Sequence, residues 1–75
     1  MAPRLPMLKA RDVSAVLGRL GFRELRQSGS HIFFSHSDGR TTVVPKHGGE
    51  DIGRGLLRQI LREIEIKPDE FARYL

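Results

Sequence analysis

Apolar side chains fall along this chain in two rhythms, one near 3.6 residues and one near 2, and the order of those rhythms predicts the architecture. Val13, Val16, Leu17 and Leu20 recur at helical spacing. Gly21 then offers a left-handed cap, with Phe22 placed to fold back, so a first helix is expected over residues 10 to 20. Phe22 to Gln27 reads as a first strand, although its apolar residues, Phe22 and Leu25, do not alternate. Ser28-Gly29-Ser30 is turn chemistry. His31 to His36, rich in Phe and Ile, is a second strand, and Ser37-Asp38-Gly39-Arg40 is a hairpin turn into Thr41-Thr42-Val43-Val44. Pro45 closes that third strand, and Lys46 to Asp51 is a polar connection. Leu56, Leu57, Ile60, Leu61 and Ile64 form an apolar stripe, which predicts a helix over residues 54 to 65 packed on one face of the sheet. Pro68 starts a last helical turn in which Phe71 and Leu75 share a face.

The expected fold class is therefore α+β, in the order α-β-β-β-α, with a three-stranded antiparallel sheet and the helices on one face. That order matches a double-stranded RNA-binding-domain-like arrangement, although fold alone leaves function open. At 75 residues the chain is expected to be a single domain, 1–75, with residues 1–7 an extended arm. A two-residue turn at Asp38-Gly39 would set Phe34 opposite Val43 and Phe33 opposite Val44. In that register Phe33 and Val44 face the helices with His31 at the core's edge, and Ile32, Phe34 and Val43 form an exposed apolar patch of the kind that marks a partner surface.

Composition narrows the partner. Thirteen Lys and Arg against nine Asp and Glu give a formal charge of +4 and favour a polyanion. The excess lies in residues 1–49, with eight basic and three acidic residues (+5), whereas residues 50–75 hold five and six (−1). Ten of the thirteen cations are Arg, whose planar fork suits phosphate. There is no cysteine, which removes disulfides and thiolate metal sites, and no stretch of membrane-spanning length, so a cytoplasmic protein is expected.

Three histidines carry the candidate chemistry: His31 opening a strand, His36 before the hairpin turn, where it is assigned to solvent, and His47 in the basic loop. Their separations match no zinc pattern, and neither a metal nor a cofactor is expected. An imidazole with an ordinary pKa of about 6.5 suits general acid–base work, but a histidine opening a strand is by itself more often a turn or surface residue than a catalyst. Gly53-Arg54-Gly55 would present backbone amides at a positive helix end, with Lys46 and His47 nearby in sequence. Arg26, with Arg11, Arg19 and Arg23, extends a basic track. Phe22, Phe33, Phe71 and Tyr74 are assigned to packing.

Gly29-Ser30-His31-Ile32-Phe33-Phe34, then Asp38-Gly39-Arg40, Val44-Pro45-Lys46-His47 and Gly55-Leu56-Leu57-Arg58-Gln59-Ile60-Leu61, resemble the HicA, or YcfA-like, toxin family in order and spacing. The similarity extends back through Arg11-Asp12-Val13 and Leu20-Gly21-Phe22. Two positions depart from the family pattern: Ala10 stands where a helix-capping Ser is usual, and Leu56 replaces the Thr of a Gly-Thr-Leu signature. The resemblance implies the toxin of a toxin–antitoxin system acting in stress response. Such a toxin is a ribosome-independent endoribonuclease that cleaves mRNA and is neutralised by a HicB-type antitoxin. The family's catalytic histidine falls on His31. If the ribose 2′-OH is the nucleophile the reaction needs no metal, and His31 serves as its base or as the acid for the leaving oxygen. Ser30, Lys46, His47, Arg54 and Arg26 are assigned to RNA, and Ile32, Phe34 and Val43 to the antitoxin. The alternatives are a non-catalytic RNA-binding module, which would retard RNA without shortening it, and a protein-interaction subunit, which would do neither.

Overall fold

A computed structural model describes residues 5–46 and 49–75. The elements run β1 (Leu8–Lys9), α1 (Ala10–Arg19), β2 (Arg23–Ser28), β3 (His31–Ser35), β4 (Thr41–Pro45), β5 (Asp51–Ile52), α2 (Arg54–Ile64) and α3 (Pro68–Ala72). Strands β2, β3 and β4 form an antiparallel sheet in that order, and β1 pairs with β5 in a separate two-stranded ribbon. The α+β architecture with a three-stranded antiparallel sheet is the one expected. The ribbon is an addition to it. Of the arm expected over residues 1–7, residues 1–4 lie outside the described residues.

Local chemistry accounts for the helix ends. Lys9 offers no oxygen to cap α1, but the Asp12 carboxylate accepts the Lys9 backbone N–H at 2.9 Å, half of a capping box supplied from within the first turn. At the other end Gly21 takes φ +96°, its N–H bonds to the Gly18 carbonyl, and the Phe22 N–H reaches back to Leu17. This is a Schellman cap. Helix α2 ends in the same pattern, Ile66 N–H to Leu61 O, with Glu65 rather than glycine in the left-handed conformation.

The core lies between the helices and one face of β3 and β4. Val13, Val16 and Leu17 of α1 and Leu57, Ile60, Leu61 and Ile64 of α2 meet Ile32, Phe34 and Val44 of the sheet, with Phe71 of α3 also buried. Thr42 is buried too, and its hydroxyl donates to Glu63 Oε1 at 2.7 Å. Every residue of β2 is exposed, so the helices cover only two of the three strands.

The hairpin between β3 and β4 corrects the expected register. His36 and Arg40 close a three-residue loop, Ser37-Asp38-Gly39, with His36 N–H on the Arg40 carbonyl, Gly39 N–H on the His36 carbonyl and Gly39 at φ +100°. The extra loop residue moves the pairing by one: Ile32 lies opposite Val44, Phe33 opposite Val43 and Phe34 opposite Thr42. A slip of one residue turns one strand over relative to its partner, and here β3 is the strand reversed while β4 keeps its expected facing. Ile32 and Phe34, expected on the outer patch, are core residues with 6% and 4% of their surface exposed, while Phe33 and His31 move to the outer face. Val43 stays outside, half-buried.

Candidate active site

Gly29-Ser30 is a two-residue connection between paired Ser28 and His31. Gly29 has φ +58° and Ser30 does not share the positive φ, the pattern of a type II′ turn, in which glycine holds the first position. A Cβ on Gly29 would touch nothing within 4 Å, so the glycine is required by backbone conformation and not by space. The amide of Gln27 braces the turn by donating to the Gly29 carbonyl at 3.2 Å. His31 is therefore the first residue of the central strand, its backbone held from both sides while its ring is exposed.

Strand pairing defines what shares its face. Three rows cross the open side of the sheet: Ser28, His31 and Pro45; then Arg26, Phe33 and Val43; then Arg23, Ser35 and Thr41. These nine positions hold two arginines, the histidine and no carboxylate. The guanidinium of Arg26 sits 4.4 Å from the centre of the Phe33 ring, a cation–π contact. A bulge between Glu24 and Arg26 brings Arg26 opposite Phe33 and leaves Leu25 exposed on the free edge.

The residues assigned to RNA from sequence separate into two groups. Ser30 and Lys46 stand together at the His31 end of the sheet, because the Lys46 N–H donates to the Ser30 carbonyl, but Lys46 lines a cavity with Arg11 and Ser14 of α1 on the helix-covered side, whereas Arg26 lies on the His31 face one row along. Arg54 belongs to the helical layer. Thr42 bonded to Glu63, and Arg40 bonded to the Ile64 carbonyl, fix the C-terminal half of α2 over the start of β4. The α2 N-terminus thus points toward the Pro45 end, where Arg54 is exposed and donates to the Leu5 carbonyl at 3.3 Å. His47 lies outside the described residues. Lys9 Nζ bonds to the Gly49 carbonyl at 2.6 Å and to Asp51 at 3.0 Å, and so ties the end of the β4–β5 connection to β1.

His36, expected in solvent, is partly buried: its ring meets Phe22 edge-on at 5.0 Å, and its Nδ1 accepts the Asp38 N–H at 3.1 Å. It organises the hairpin at the opposite end of β3 from His31. There the Arg40 backbone N–H, aided by the Arg40 guanidinium, holds the Asp38 carboxyl below its ordinary range against an opposing desolvation. Phe22 and Phe71 are packing residues as expected, and Tyr74 is partly buried against the core. Phe33 is not: it stands half-buried on the open face. The row alignment was concealed in the sequence by the length of one loop.

Among the described residues no group of three His, Cys, Asp or Glu is placed to hold a metal ion, and no helix is long and apolar enough to cross a membrane. Residues 10–66 match the family model for the HicA toxin of bacterial toxin-antitoxin systems. The match spans both long helices, the sheet and the Gly29-Ser30-His31 turn, and the chain belongs to the HicA toxin family. It is accordingly a toxin of a toxin–antitoxin system. No curated protein matches the chain.

Proposed function

We propose that this toxin is a metal-independent endoribonuclease that cleaves mRNA with His31 as its catalytic group. The observation that carries the reading is the exposed His31 ring on a rigid type II′ hairpin, on a sheet face with two arginines and no acid. The 2′-OH of a ribose attacks the adjacent phosphorus, the P–O5′ bond breaks, and the products are a 2′,3′-cyclic phosphate and a 5′-hydroxyl. The proton lost by the 2′-oxygen equals the one gained by the leaving oxygen, so the step consumes no water. His31 takes the first or supplies the second. Lys46 and Ser30 at the same end of the sheet contact flanking phosphates, while Arg54 extends the basic rim; His47 keeps the RNA-binding role assigned to it from sequence.

A HicB-type antitoxin neutralises the toxin by covering the open face, where Val43 is available to it. Ile32 and Phe34 take no part, being committed to the core. The test is labelled RNA incubated with purified protein and a chelator. Cleavage that persists, ends in cyclic phosphate and 5′-hydroxyl, and disappears in a folded His31→Ala variant is expected. Equal cleavage by the variant removes His31 from the mechanism, and retardation of RNA without shortening makes the protein a binder.

A further inference from the structure

Phe33 was assigned from sequence to packing, yet it lies two residues from His31 on the same strand and the same face. Side chains at that spacing are about 6.5–7 Å apart along a strand. That is also the span from a nucleobase to the phosphate on its own ribose. Around the ring the face supplies Arg26 on one flank and Val43 on the other, with Arg23 a row beyond and no carboxylate in any of the three rows. An apolar, aromatic floor under an uncompensated positive field complements a single RNA strand, whose bases have π-faces and whose backbone is anionic.

We propose that Phe33 and Arg26 form a nucleobase subsite, in which a base of single-stranded RNA stacks on the Phe33 ring and its phosphate is delivered to His31. The planar guanidinium of Arg26, 4.4 Å from the ring centre, occupies the seat that the base takes. Exchange is favourable because an exposed cation–π contact is weaker than base–aromatic stacking, and the displaced arginine then lies beside the phosphate it can neutralise. Stacking reads the π-face common to all bases, so the subsite positions the strand without strong sequence preference. The proposal deepens the ribonuclease reading and rests on it for the role of His31, but the binding it describes does not require cleavage.

The chain contains no tryptophan, so Phe33→Trp places a single fluorophore in the subsite. In the His31→Ala background, titration with a short unstructured oligoribonucleotide should quench its emission saturably. Phe33→Leu in the same background should weaken binding roughly five- to 150-fold by an independent measurement such as anisotropy of labelled RNA. Arg26→Gln should lower the salt dependence of binding by about one unit. In the active protein Phe33→Leu should lower kcat/KM with its thermal midpoint nearly kept, and Phe33→Trp should restore it. RNA binding unaffected by Phe33→Leu, with no quenching in the tryptophan variant, overturns the subsite while leaving the nuclease reading intact. A Phe33→Leu variant that loses antitoxin binding alone overturns it in favour of a protein-docking face. No RNA binding by any variant overturns both.

Discussion

Replacing Phe34 by Ala tests the register on which every functional assignment to the sheet depends. Phe34 is 4% exposed and lies against the helices opposite Thr42. Removing a buried phenyl ring costs about 3–5 kcal/mol, from the lost transfer energy and the cavity left behind. A 75-residue domain has about 4–11 kcal/mol of stability in total, so the substitution removes about a quarter of it or more. Each kcal/mol shifts the midpoint of a domain this small by about 4–8 °C, which places the loss at roughly 12–40 °C. Val43→Ala, half-buried on the other face, should cost under about 1 kcal/mol. Ile32→Val keeps the comparison measurable if Phe34→Ala does not fold, with an expected cost of about 0.5–1.5 kcal/mol. Urea denaturation followed by circular dichroism reads all three. Should Val43→Ala prove as damaging as Phe34→Ala, the two residues would share a face through a two-residue turn; should Phe34→Ala and Ile32→Val both be silent, β3 would face the other way.

Two further outcomes follow from the loops. Asp38 has a depressed pKa in the folded state, so its contribution to stability is full above the unfolded value of about 3.9 and is lost as pH falls through the lower folded value. Urea midpoints measured across that acidic range should fall less steeply for Asp38→Asn than for the wild type, and parallel profiles would count against the Arg40 contacts. Glu65 holds a left-handed conformation at φ 59° without being glycine. Glu65→Gly should therefore raise stability by up to about 1 kcal/mol, and a destabilised variant would mean that the side chain has a compensating role.

How far the sequence reaches differs from element to element for physical reasons. Helix α1 and its Schellman cap were legible because a 3.6-residue stripe ends on Gly21 with Phe22 behind it. Gly29-Ser30 was legible as a turn for the same kind of reason, since a glycine supplies the positive φ. The facing of β3 relative to β4 was not legible, because Ser37-Asp38-Gly39-Arg40 supports either a two-residue or a three-residue loop, and both place Gly39 at a position suited to positive φ. Strand β2 shows no alternation because neither of its faces is buried and a bulge interrupts it at Leu25. The β1–β5 ribbon joins two residues to two others more than forty positions away, which no local pattern records. His31 could be picked out by its motif, but Arg26 and Phe33 join it only through register.

The one-sided packing of the sheet separates two kinds of genetic lesion by the parity of residue number. In β3 and β4 the even positions, 32, 34, 42 and 44, are buried beneath the helices, and the odd positions, 31, 33, 35, 41, 43 and 45, face outward. Survivors of a toxicity selection that carry changes at even positions would owe their survival to a chain that no longer accumulates in folded form. Survivors changed at odd positions would retain a soluble protein at normal abundance. The second class is the useful one, because a harmless yet intact toxin can still be offered to an antitoxin, and β3 and β4 each supply three alternate codons at which to look for it.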